Sequence, residues 1–266
     1  MDDGLRTRLW NCVSEHYLGI LRMQYPYSLG IEPFSAEKEE VVKNLYHNFL
    51  HRPIDIISED FVVEYNNIRN FFFNATWDEV YDFIEFVVRS IPDDKKKMTL
   101  TKSCNRVLQE EMSYYRIVGD LVTPMTSDEE MKAIETAMGC PAEPVRDLMS
   151  KALKALSDRK EPNYPSSIKD SVAAVESLCK IIAGDGSKTL VDSLKGVQAK
   201  VGLHPALTKS LENLYGYRNV KPGVAHGGTQ TAAEGFDEAF FYLVSCSAWV
   251  NFLSAKADKA GIRIDN

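Results

Sequence analysis

A chain of 266 residues with 44% hydrophobic side chains holds enough apolar material for one large core or two ordinary ones, which excludes a disordered protein. Its formal net charge is -7, which speaks against a generally basic, polyanion-coating protein. The five cysteines, Cys12, Cys104, Cys140, Cys179 and Cys246, are scattered and never spaced Cys-x-x-Cys, so they fit neither a disulfide framework nor a zinc site and read as reduced structural thiols.

The opening Met1-Asp2-Asp3-Gly4-Leu5 has no basic start followed by an apolar stretch, so no secretory leader is expected and the location expected is cytoplasmic. The first helix, about Gly4 to Leu18, brings Leu5, Leu9, Cys12, Val13 and His16 to one side with Trp10 beside them. Its partner follows Ser35 and reaches about Leu50, with Val41, Val42, Leu45, Tyr46 and Phe49 on the apolar face. A third helix spans about Glu59 to Phe73, and its Phe71-Phe72-Phe73 end reads as core or domain interface rather than a base-stacking platform. Thr76 and Glu79 then form a capping box ahead of Val80, Phe83, Ile84 and Val87.

After Pro92 comes a helix to about Met112, and then two β-prone runs around Gly119-Asp120 predict a hairpin near 114–123. Ser127 and Glu130 open another helix, and Pro144 opens the next, to about Leu156. The polar segment Ser157 to Pro165, with two prolines, predicts the domain boundary, giving 1–158 and 159–266. Four helices follow: one from Pro165 to the Gly184-Asp185-Gly186 stop, one over Thr189 to Lys200, one over Pro205 to Leu214, and one from a Thr231 to Glu234 capping box to about Lys259. The expected fold class is therefore mainly α, an N-terminal helical domain with a small β-hairpin followed by a C-terminal four-helix bundle. Ala239 to Ala255 approaches membrane-spanning length, but Ser245, Ser247, Asn251 and Ser254 interrupt it, so a buried core helix and no membrane contact are expected.

Charge is uneven: residues 1–159 hold 19 Lys and Arg against 27 Asp and Glu, and residues 160–266 hold 12 against 11. Lys188 to Lys221 has a basic excess that fits either a phosphate backbone or an ordinary solvated face. Gly184-Asp185-Gly186-Ser187-Lys188-Thr189 lacks the Gly-Lys-Ser/Thr adjacency of a phosphate-binding loop and reads as a helix-ending turn. No His-Glu-x-x-His and no Gly-x-Ser-x-Gly occurs. His16, His47, His51 and His204 have no partner pattern and read as structural.

Between the last two helices lies Tyr217-Arg218-Asn219-Val220-Lys221-Pro222-Gly223-Val224-Ala225-His226-Gly227. The Arg-Asn pair followed by Gly-x-x-His-Gly resembles the signature of HEPN domains, in the form found at the C-terminus of abortive-infection proteins. The resemblance extends over most of Pro162 to Ala255, including Ser167-Ile168-Lys169-Asp170-Ser171. Leu5-Arg6 with Leu9-Trp10-Asn11, and Trp77 with Tyr81-Asp82-Phe83-Ile84-Glu85-Phe86, resemble the N-terminal domain of AbiJ-type abortive-infection proteins.

The HEPN resemblance implies a metal-independent and cofactor-free endoribonuclease that leaves 2′,3′-cyclic phosphate ends, with Arg218, Asn219 and His226 as catalytic residues. It implies Lys221, Lys169 and Glu176 as substrate-binding residues, although Glu176 fits equally an ordinary helix acid. The partners implied are RNA, a second copy of the chain, and a phage or host protein trigger. The alternative is a catalytically inactive module of the same fold that binds RNA or protein.

Overall fold

Local chemistry at the helix ends accounts for most element boundaries. The computed structural model describes residues 1–18, 36–125, 127–184, 190–218 and 235–265. They form two units, Met1–Pro124 and Met125–Asn266.

In the first unit the Asp2 carboxylate accepts from the Leu5 N–H at 2.8 Å and starts α1, Asp3–His16. Helix α2, Ala36–Asn44, passes into a π-helical turn over Leu45–Phe49. Asp60 caps α3, Phe61–Asn74, by accepting from Val62 at 2.9 Å. The Glu79 carboxylate accepts from the Thr76 N–H at 2.7 Å and from its hydroxyl at 3.0 Å at the start of α4, Trp77–Ser90. Val80, Phe83, Ile84 and Val87 are buried on that helix, as their spacing predicts. Asp93 then caps α5, Asp94–Glu110. Helix α1 packs on α3, α4 and α5 around Leu9, Leu45, Phe72, Phe83 and Leu100.

The expected hairpin is present as β1, Tyr115–Val118, paired antiparallel with β2, Leu121–Pro124. Gly119 takes φ 63°, the left-handed conformation that a two-residue turn needs. A lone hairpin is marginal in water, so its attachment matters. The Asn105 amide donates to the Ile117 carbonyl at 2.9 Å and accepts from the Ile117 N–H at 2.7 Å, replacing a neighbouring strand. Glu85 of α4 accepts from the Val122 N–H at 2.8 Å and from Arg89 at 2.9 Å.

The second unit opens with both arms of the Ser127–Glu130 capping box, at 2.9 and 3.2 Å, on α6, Asp128–Met138. Then come α7, Glu143–Ser157; α8, Tyr164–Ala183, which stops at Gly184 with φ 71°; α9, Leu190–Val201; α10, Pro205–Arg218; and α11, Phe236–Lys259. Helix α8 packs on α7, α9 and α11, and α11 also packs on α6 and α7. A Cβ on Gly196 would lie 3.0 Å from the Ala183 Cβ, so a glycine there lets α9 approach α8 closely. The Ala239 to Ala255 run lies in α11, with Ala239, Leu243, Cys246, Val250 and Leu253 buried. Among the described residues no helix is long and apolar enough to cross a membrane.

The four helices expected after 159 are present, but two expectations differ from what is found. The units divide at 124/125, whereas the proline-bearing segment expected as the boundary at 158/159 is a turn within the second unit. There the Asp158 carboxylate accepts from the Lys160 and Glu161 N–H groups, both at 2.9 Å, and those bonds hold its pKa below the ordinary value. Helices α6 and α7 bury Ile134, Ala137, Val145, Met149 and Leu153 in the same unit as α8 and α11. The second difference is that α10 runs past Leu214 to Arg218, so Arg218 ends a helix instead of lying in the loop. The Tyr242 hydroxyl of α11 donates to the Leu214 carbonyl at 3.2 Å, which supports the last turns despite Gly216. The Thr231 to Glu234 capping box expected to open the last helix lies outside the described residues, and α11 begins instead at Phe236, where the Glu238 carboxylate accepts from the Gly235 N–H at 3.0 Å.

A Cβ added at Gly216 would meet nothing within 4 Å. Gly216→Ala is therefore expected to stabilise the second unit by about 0.5–1 kcal/mol through the lower backbone entropy of its unfolded chain. A lower melting temperature for the variant would contradict this account of α10.

Candidate functional site

Of the residues expected to carry chemistry, Arg218, Lys169 and Glu176 fall on described helices. Arg218 is the last residue of α10, where the partial negative charge of the helix end favours a cation. Its side chain, together with Asn219, Lys221 and His226, lies outside the described residues. Lys169 and Glu176 are both on α8, seven residues and so about 10 Å apart along the axis. Lys169 is exposed, and Glu176 is half-buried with its carboxylate 2.8 Å from the Lys180 ammonium. The helix-acid reading of Glu176 thus has a local partner in the next turn.

All five cysteines are free and buried, and burial pushes the Cys179 and Cys246 thiols up to about 12. Among the described residues no group of three or more His, Cys, Asp or Glu side chains is arranged to hold a metal ion.

The N-terminal motif residues act through packing and helix capping. The Arg6 guanidinium donates to the carbonyls of Phe72, Phe73 and Ala75 at 2.9, 3.2 and 2.7 Å, satisfying the end of α3. Trp10, one turn along the same helix, has ring centroids 5.5 Å from Tyr65, 5.2 Å from Phe72 and 6.0 Å from Phe73. Trp77 lies edge-on to Tyr81 at 6.0 Å and 5.8 Å from Tyr115, so it covers the junction of α4 with the hairpin. The motif ties α1 to α3 and α4 to β1.

A family model described as AbiJ N-terminal domain 4 matches residues 1–139. The chain belongs to that family. Membership relates the AbiJ-type domain to abortive infection and agrees with its mainly helical architecture. The matched region runs beyond the first unit to include α6, which packs with α11 in the second unit. No curated protein and no solved structure matches the chain.

A concave feature that was not anticipated from the sequence lies within the AbiJ-type domain. A groove of about 460 Å³ is lined by Asn67, Asn70, Phe71 and Asn74 of α3, with Arg52 and Glu79. Beneath it Glu64 is 1% exposed and fully engaged, accepting from the Tyr46 hydroxyl, from the Ser58 N–H at 2.7 Å and from the Asn67 amide at 3.2 Å. Burial and the Glu64 carboxylate push the Tyr46 phenol up to about 12, which keeps it a donor at ordinary pH. The readable signal was the 67, 70, 74 spacing, which puts three amides on one stripe of a helix. Arg52 and Glu79 join them only through the tertiary fold.

Proposed function

We propose that this AbiJ-type protein is an abortive-infection effector whose C-terminal helices carry a metal-independent endoribonuclease of the HEPN type. The observation that supports this most is the extension of α10 to Arg218, which ends the helix one residue before Asn219 and at the start of the connection to α11. Membership of the AbiJ family over the N-terminal half supports the defence context.

The chemistry follows from the residue types. The ribose 2′-oxygen attacks the adjacent phosphorus, the bond from phosphorus to the 5′-oxygen breaks, and a 2′,3′-cyclic phosphate remains. His226 can take the 2′ proton or return one to the leaving 5′-oxygen, since imidazole is the side chain that exchanges a proton near neutral pH. Arg218 offers a permanently charged planar fork to the extra charge on the phosphoryl oxygens. Asn219 orients the phosphate or the imidazole. Lys221 and the exposed Lys169 meet neighbouring phosphates, and Glu176 lies two turns further along the helix of Lys169. A second copy of the chain completes the cleft, and a phage or host protein acts as the trigger.

The test is incubation of the purified full chain with mixed tRNA and mRNA in EDTA, beside a His226→Ala variant, with mapping of new ends. Cyclic-phosphate ends from the parent protein and not from the variant support the nuclease and assign the histidine. Equal absence of cleavage by both, from protein shown to be folded and dimeric and supplied with phage-infected extract, favours the inactive RNA- or protein-binding module.

A further inference from the structure

We propose that the asparagine-lined groove of α3 is a binding site for an extended segment of another polypeptide, recognised through its main chain. This inference is independent of the nuclease reading, because every residue in it lies in the first unit.

The asparagines are the starting point. Asn67, Asn70 and Asn74 follow one another at three and four residues, so they descend a single face of α3 over about 10 Å. Asparagine is among the poorer residues for a helix interior, where Asn67 and Asn70 stand, whereas Asn74 is the last residue of α3. Each amide carries both a donor and an acceptor. Two are held in place: Asn67 donates to the buried Glu64 at 3.2 Å and also bonds the Tyr46 phenol, and Asn74 donates to the Asn70 carbonyl at 2.8 Å. The side-chain amide of Asn70, and the carbonyl oxygen and second N–H of Asn74, face a ligand. The anchoring of Asn67 to a carboxylate that is itself bonded on both oxygens makes this edge of the groove rigid.

The walls narrow the choice of ligand. Phe71 forms part of the floor, and its ring is fixed by Phe49 at 5.7 Å and Phe83 at 6.1 Å. Arg52 and Glu79 bring one charge of each sign. The Arg52 N–H donates to the Tyr46 carbonyl at 2.9 Å, and Glu79 is held by its capping bonds to Thr76, so both charges stand on fixed backbone. The groove is thus close to neutral inside a unit with 14 Lys and Arg against 20 Asp and Glu over residues 1–124. Such a surface lacks the basic track that a phosphate backbone requires. It suits a neutral chain that repeats a donor and an acceptor. An extended peptide presents that pair on one side at every second residue, about 6.6–6.8 Å apart, and the rise from Asn70 to Asn74 is about 6 Å. The volume of about 460 Å³ is that of an ordinary ligand site and accepts a short stretch of chain. The opposite charges at its walls would then set the direction and side-chain preference of the bound segment.

The experiment uses the full chain and a displayed library of random twelve-residue peptides. Peptides enriched on the protein are synthesised with a fluorophore and titrated by anisotropy against the parent chain and an Asn70→Ala/Asn74→Ala double variant. These side chains are exposed, so the variant should keep the parent circular dichroism and melting temperature. Losing two to three hydrogen bonds should weaken binding about tenfold or more, and N-methylation of alternate backbone amides in the same peptide should weaken it comparably. The proposal is overturned if no peptide is enriched, if the double variant or the methylated peptide binds as the parent pair does, or if nucleoside monophosphates occupy the groove and displace the peptide.

Discussion

Trp10→Ala should destabilise the first unit by about 3–5 kcal/mol, the cost of removing a large aromatic from a core that cannot fully collapse around the gap. Trp10 is 3% exposed and is the ring through which α1 meets Tyr65, Phe72 and Phe73 of α3. The loss has two parts: the transfer of the indole from the interior to water, and the aromatic contacts left without a partner. Trp10→Phe should recover about half of it, since a smaller ring still fills part of the volume. Denaturant unfolding followed by circular dichroism measures the change. Trp77 and Trp249 remain as separate fluorescent reporters of the first and second units. A shift below about 1 kcal/mol, or one seen only by Trp249, would mean that α1 is not held to α3 in this way.

Arg6→Ala should cost about 2–4 kcal/mol by a different route. The guanidinium donates to three carbonyls at the end of α3, which has no cation of its own in its last turn. Removal takes away charge-assisted bonds and leaves the carbonyls of Phe72 and Ala75, both buried residues, short of a donor. Arg6→Lys should recover only part of the loss, because a single ammonium cannot span three acceptors as a planar fork does. Hydrogen exchange at Phe73 to Ala75 distinguishes this from general core damage. Arg6→Ala should raise exchange at the end of α3 before it affects α5. Uniform protection across both helices would remove the capping role.

These two residues show how much of the molecule is legible in the sequence. Leu5-Arg6 and Leu9-Trp10 carry the AbiJ resemblance, and the family match over residues 1–139 agrees with it. Their task is not legible, because the carbonyls that Arg6 engages lie 66 to 69 residues away. The same holds for Glu85, whose Val122 partner is 37 residues distant, and for the groove, where Arg52 and Glu79 flank a stripe of amides that can be read on its own. Around the C-terminal site the Arg-Asn and His signature is legible as a resemblance. Asn219, Lys221 and His226 lie outside the described residues, so only Arg218, Lys169 and Glu176 receive a place on an element.

Features that depend on a few neighbouring residues are legible before folding: the caps at Thr76 and Ser127, the Gly119 turn, the stop at Gly184, and the buried stripes of α4 and α11. In each, the deciding bond or backbone conformation lies within about one helical turn, so composition and spacing carry it. Tertiary structure decided that the two-proline segment after Ser157 is a turn inside a unit, that α10 continues through Gly216 to Arg218, and that Asn105 and Glu85 hold the hairpin. Those outcomes depend on apolar faces and hydrogen-bond partners supplied by distant segments. In α10 the glycine lowers the local preference for helix, and packing on α8 and α9 with the Tyr242 bond to Leu214 overrides it.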